Sequence, residues 1–166
     1  MFVGESRSPF FPAITMPHLA GLELPKIRRV TIEQPKEDPL DDLEGRVCEA
    51  LKGCKKLQSL SSGNRVAIAV GSRGIAEICK VVKTVVDYLK QEALYPFIVP
   101  AMGSHGGGTA EGQMNVLRKL GIDEENMGCE VRSSMETVDY GPISPGIRCH
   151  FDENAAHSDG IILINR

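Results

Sequence analysis

Two short apolar runs each hand over to a glycine-bearing loop and then to an amphipathic stripe. This order constrains the fold more than any other feature of the chain. Residues 66–70 (Val-Ala-Ile-Ala-Val) read as a buried strand, and Gly71-Ser72-Arg73-Gly74 follows as a loop. Ile75, Ile78, Cys79, Val82, Val85, Val86 and Leu89 then recur at helical spacing. Residues 96–100 repeat the pattern as a second strand, followed by Ala101-Met102-Gly103-Ser104-His105-Gly106-Gly107-Gly108. A helix is expected over residues 109–120, with Ala110, Met114, Leu117 and Leu120 inward. Strands alternating with helices require right-handed crossovers, so the expected fold is α/β with a mostly parallel sheet and helices on both faces.

The flanks are read the same way. Residues 1–26 carry prolines at 9, 12, 17 and 25 and no helical period, and are taken as an irregular N-terminal segment. The α/β domain is placed at 27–166. Its first strand is expected over residues 27–33 (Ile-Arg-Arg-Val-Thr-Ile-Glu), which are rich in β-branched side chains. Asp38-Pro39 reads as a helix start, with Asp38 the cap and Pro39 at the first position. Leu40, Leu43, Val47, Leu51 and Cys54 continue it at helical spacing. Residues 61–64 read as a turn, residues 130–133 and 147–151 as short strands, and Asp152 as the cap of a short helix reaching His157. Residues 160–164 form a last buried strand, and the chain stops two residues later. In an open α/β sheet a functional loop would follow there, so the sequence reads as a fragment of a larger two-domain protein.

Composition excludes several classes. A formal charge of −3 leaves no basic footprint for nucleic acid or for a polybasic membrane patch. No apolar run approaches the roughly 20 residues that span a bilayer. Five cysteines, an odd number without paired short spacing, fit the free thiols of a cytoplasmic protein.

Chemistry concentrates at the strand ends, where open α/β sheets bind ligands. The run from Gly103 to Gly108 is neither a P-loop nor a dinucleotide fingerprint: no Gly-Lys-Ser/Thr follows, and His105 stands where a second glycine would be needed. Its glycine N–H groups at a helix start could hold an anion. Equally, the run could be a tight turn, with Glu111 already answering the helix dipole. His105 is a candidate for proton transfer or ligand contact, because an imidazole titrates near neutrality. The bland alternative is a structural or merely exposed histidine. Arg73 could clamp a carboxylate beside it, or could be solvent-exposed or paired with Glu77. Cys149, His150 and His157 lack the paired spacing of a zinc site, so no metal ligand is assigned. His18 carries no argument.

At these positions the chain resembles a known family. Ala69 to Ile75, Pro96 to Gly107 and Thr109 to Gln113 resemble the nickel-dependent lactate racemase family, and in particular its uncharacterised branch. Ser133 to Glu136 and Ala156 to Arg166 fit the same branch, so the resemblance spans residues 65–166. It implies the N-terminal, Rossmann-like part of a two-domain racemase or epimerase acting on a small 2-hydroxy acid. Such an enzyme uses proton-coupled hydride transfer with a nickel-pincer nucleotide. By resemblance His105 is an acid–base group and Arg73 orients the substrate carboxylate. Gly71, Ser72, Ser104, Gly106, Gly107 and Thr109 would lie near the cofactor. The racemases themselves carry Asp-Thr where this chain has Gly71-Ser72, which points away from lactate itself. The second histidine, the cofactor-bearing lysine and the nickel ligand would belong to a missing C-terminal domain. On that reading this chain alone binds no cofactor and is inactive. The rival function is a non-catalytic module for a mononucleotide or phosphorylated metabolite. Partners expected on either reading are a small-molecule substrate or ligand and a possible second copy of the chain, with no nucleic acid and no membrane.

Overall fold

The computed structural model describes residues 21, 23, 28–33, 38–72 and 74–166. It divides into two units, Met1–Asp38 and Pro39–Arg166. In the first, residues 28–33 form neither strand nor helix and are exposed. The strand expected over 27–33 is therefore not formed at its described positions (Ile27 lies outside them). Val30 and Ile32 alternate with polar residues as a half-buried strand would, yet both are exposed. Composition suits a strand there, but no neighbouring strand pairs with it among the described residues.

The second unit is α/β. In chain order it comprises α1 (Leu43–Lys52), α2 (Lys55–Gln58), β1 (Arg65–Val70), α3 (Ile78–Gln91), β2 (Tyr95–Pro100), α4 (Ala110–Lys119), α5 (Glu124–Met127), β3 (Thr137–Ser144), β4 (Ile147–Asp152), α6 (Glu153–Ala156) and β5 (Gly160–Ile164). Three strands form a parallel sheet in the order β2-β1-β5. Val66 pairs with Pro96 on one side and Gly160 on the other, and Val70 with Pro100 and Ile164. Strand alternation sends Val66, Ile68 and Val70 to one face and Ala67 and Ala69 to the other. The first face carries the main core: Val82, Val85, Val86 and Leu89 of α3 pack there with Leu117 of α4, and α1 adds Val47 and Leu51. The second face is thin. Ala67, Ala69, Phe97 and Val99 meet Ala155 of α6. Helices flank the sheet, as expected, but unequally. No described helix is long and apolar enough to cross a membrane.

Several boundaries differ from expectation. Helix α1 is capped by Asp42, not Asp38: the Asp42 carboxylate accepts from the Gly45 N–H at 2.9 Å. Leu40 precedes the helix, and Cys54 lies beyond it as the cap position of α2. Ile75 likewise precedes α3. Residues 130–133 do not form a full strand. Val131 makes one parallel bridge to Ile98, with the Ile98 N–H donating to Glu130 O at 2.9 Å and the Arg132 N–H to Ile98 O at 2.8 Å. The strand expected over 147–151 is present as β4, but it pairs antiparallel with β3 in a hairpin outside the parallel sheet. Asp152 caps α6 as read, accepting from the Ala155 N–H at 2.8 Å. All five cysteines are free.

Candidate functional site

The loops that follow β1, β2 and β5 leave the sheet at one edge, because parallel strands end on the same side. They enclose an open cleft of about 280 Å³ lined by Ser72, Met102, Gly103, His105, Asn165 and Arg166, with Ala101 at its base. Backbone bonds extend the sheet into this edge: Gly71 N–H donates to Ile164 O at 2.9 Å, and Ala101 N–H to Val70 O at 2.7 Å.

Ser72 and His105 meet across the cleft. Ser72 Oγ lies 2.5 Å from His105 Nδ1, and both side chains are half-buried. One proton is shared between them. It belongs to the Ser72 hydroxyl when the imidazole carries its hydrogen on Nε2, and to Nδ1 in the other tautomer. In either case the serine fixes the plane of the ring.

The glycine run is a folded turn. Residues His105–Gly108 form a 3₁₀ segment in which Gly106 and Gly107 adopt left-handed angles, with φ of 66° and 72°. The turn is tied down at both ends. Met102 is buried in the main core. Gln113 is 5% exposed, and its side-chain amide donates to Gly103 O at 2.8 Å. Thr109 Oγ1 accepts from the Gly112 N–H at 3.1 Å and donates to Gly106 O at 3.2 Å. Gly106 presses directly on the first turn of α4, where a Cβ built on it would fall 2.3 Å from the Gly112 carbonyl carbon.

Of the residues singled out from the sequence, Ser72 and His105 line the cleft. Gly71 lies behind it, packed against Asn165: a Cβ on Gly71 would fall 2.4 Å from Asn165 Oδ1. Gly106 and Thr109 build the turn into α4, while Ser104 and Gly107 are exposed outside the lining. Arg73 lies outside the described residues, as does His18. His150 on β4 and His157 after α6 do not line the cleft.

Three contributors were not found by sequence reasoning. Asn165 donates to Ala101 O at 3.4 Å and accepts from the Arg166 N–H at 2.8 Å, joining the β5 and β2 loops. Arg166 reaches back to Gly74 O at 3.1 Å and brings a cation to the lining. Gln113 is the third. The signal for Asn165 and Arg166 was present: they directly follow a strand of a parallel sheet, the same position that marks Ser72 and His105. A buried glutamine within a helix gives no such signal.

The cleft therefore combines an imidazole, a hydroxyl and a guanidinium, and among the described residues no Asp or Glu lines it. Such a lining favours a small anion with a proton to exchange. Among the described residues no three His, Cys, Asp or Glu side chains come together as a metal would need. No family model, curated protein or solved structure matches this chain.

Proposed function

We propose that this α/β unit supplies the acid–base wall of a racemase or epimerase for a small 2-hydroxy acid, with His105 as the proton-transfer group. The observation that carries the reading is the Ser72–His105 contact at the carboxyl edge of a parallel sheet, beside the Arg166 cation. Inverting a 2-hydroxy acid by proton-coupled hydride transfer requires a base that takes the hydroxyl proton and later returns it, while the hydride leaving C2 would be accepted, and given back to the opposite face, by the cofactor that the resemblance implies. An imidazole is matched to that task near neutral pH. Ser72 holds the ring through Nδ1, and the guanidinium of Arg166 faces the substrate carboxylate. Arg73, by the resemblance alone, would share that charge.

The resemblance also brings in a nickel-pincer nucleotide. The described residues do not fit nickel, since no cluster of ligating side chains forms among them. The metal would have to be held from elsewhere, and what is derived for this chain's own residues is the proton transfer at the substrate hydroxyl and the binding of its carboxylate. The wall offered by Ser72, Gly103 and His105 has room for a small acid in a cleft of about 280 Å³.

The rival reading, a mononucleotide-binding module without catalysis, relies on the amide groups of the glycine turn. The Gly112 N–H in the first turn of α4 is already satisfied by Thr109, which removes one helix-start donor from that reading. The test is interconversion of the enantiomers of lactate and longer 2-hydroxy acids by the protein joined to the C-terminal domain that the resemblance implies and supplied with the mature cofactor. Wild type should racemise at least one of them, and His105→Gln should lose 10²-fold or more, the usual size of an acid–base contribution. Saturable mononucleotide binding with no optical change in any acid would instead support the binding module.

A further inference from the structure

A second cleft, of about 730 Å³, opens at the opposite end of the sheet, where β1 and β2 begin. Its chemistry is carried by Arg65, Lys90, Tyr95, Phe97, Glu130 and Arg132. Strand alternation explains why they gather. Arg65 and Tyr95 are the first register pair of β1 and β2, so Arg65 shares a face with Ala67, and Tyr95 with Phe97. Val131 bridges Ile98 and points into the main core, which sends its neighbours Glu130 and Arg132 to that same thin face.

Phe97 is 2% exposed although this face carries little helix. Two guanidiniums cover it: Arg132 Cζ lies 4.5 Å and Arg65 Cζ 5.4 Å from the ring centroid. Stacking on the ring engages a guanidinium's face and leaves its N–H edges for bidentate bonds. Arg132 shares one edge with Glu130, with Nε 2.7 Å from Oε2. Arg65 forms no ion pair with any described carboxylate. Lys90 adds a third cation at the rim, and one of its three N–H donors goes to Gly128 O. Among the described residues three cations and one carboxylate line the cleft, in a chain whose net charge is −3; the nearby Asp159 carboxylate is engaged by the Arg65 backbone N–H at 2.7 Å.

We propose that this cleft binds a phosphate group, free or as a small phosphate ester, between the guanidinium edges of Arg65 and Arg132 with Lys90 closing the site. Two forks and an ammonium match an anion that carries a double charge and three acceptor oxygens. The site is independent of the reaction proposed for His105 and lies about 20 Å from it, the length of a six-residue strand.

The test is titration of the purified protein with inorganic phosphate and, separately, with glycerol phosphate. Binding is followed by calorimetry and phosphorus line width at constant ionic strength in chloride. Wild type should bind one equivalent saturably, and tighter binding of the ester would identify the esterified source. Arg65→Gln with Arg132→Gln should weaken binding at least tenfold, and Arg132→Lys, which keeps the charge but loses the fork, by less. His105→Gln should bind phosphate as wild type does, which separates this site from the first. Absence of saturable binding by wild type would overturn the proposal, as would unchanged affinity in the folded double variant. Should removing the cover of Phe97 unfold the protein, Lys90→Gln at the exposed rim should still weaken binding at least threefold, and unchanged affinity there would overturn it equally.

Discussion

Ser72 Oγ contacts His105 Nδ1 at 2.5 Å, joining the loops that leave two adjacent parallel strands. The two residues are 33 apart in sequence, and the β1–α3–β2 crossover brings them together. If the serine orients the ring, Ser72→Ala should reduce turnover about tenfold, less than the loss of 10²-fold or more on removing the imidazole. The loss should fall on kcat rather than KM, and Ser72→Thr, which keeps the hydroxyl, should restore part of it.

Gly106 and Gly112 touch backbone to backbone, so the glycines of the turn should not respond alike. A Cβ on Gly112 would lie 1.7 Å from Gly106 O. Gly112→Ala should therefore destabilise by roughly 2 kcal/mol or more, although alanine is the better helix former by about 1 kcal/mol. Gly107 and Gly108 have φ of 72° and 63° with open space around them. Alanine there should cost only the left-handed backbone term, about 1–2 kcal/mol. Urea unfolding of the three variants checks the order.

Gly71 and Asn165 form a second close pair. Gly71→Ala forces the Asn165 amide away from Ala101 O and the Arg166 N–H. Asn165→Ala alone loses those bonds. Once the amide is gone, the added methyl at position 71 has room, so the double variant should be less destabilised than the sum of the singles. A coupling energy of about 0.5 kcal/mol or more from a denaturation cycle is expected.

Burial pushes the Cys129 thiol up to about 11, above the ordinary 9.0. The fold favours the protonated form, so this contribution to stability is intact below pH 9 and is lost as pH rises towards 11. Stability measured from pH 8 to 11 should fall less steeply in Cys129→Ala than in wild type. Alkylation at pH 8 should modify the exposed Cys54 well before Cys129.

The cap of α1 offers a direct check on a boundary that the sequence misplaced. Asp42→Ala should cost about 1 kcal/mol, a usual cap contribution, and Asp38→Ala much less. Three aspartates, Asp38, Asp41 and Asp42, precede Leu43, where the helix begins. The Asp-Pro pair is the stronger textual signal, yet the side chain that reaches an N–H of the first turn is Asp42.

That pattern holds for the molecule as a whole. Strands β1 and β2 were legible because residues buried on both faces must be apolar throughout, and the helix stripes because only one face of α3 and α4 meets the sheet; β5 forms where its apolar run placed it, but it is not the buried strand expected, since Ile161 and Leu163 are exposed. The segment 28–33 has strand composition but no partner among the described residues, and pairing is not written in a single segment. The β3–β4 hairpin was hidden for the opposite reason. Gly141-Pro142 reads as a loop, yet the ladder passes it with a shift in register. At the site, His105 stood out by its neighbours. Gln113 did not, because its importance lies in one buried bond to Gly103 O, a contact set by tertiary structure.

The most direct measurement is ring-nitrogen NMR of His105 as each enantiomer of lactate, and then a longer 2-hydroxy acid, is added to the protein joined to the C-terminal domain that the resemblance implies and supplied with the mature cofactor. The His105 imidazole signals should shift saturably with at least one acid, while those of His150 and His157 stay in place. If His105 is silent at concentrations that saturate turnover, the imidazole does not contact the substrate and the acid–base assignment is wrong.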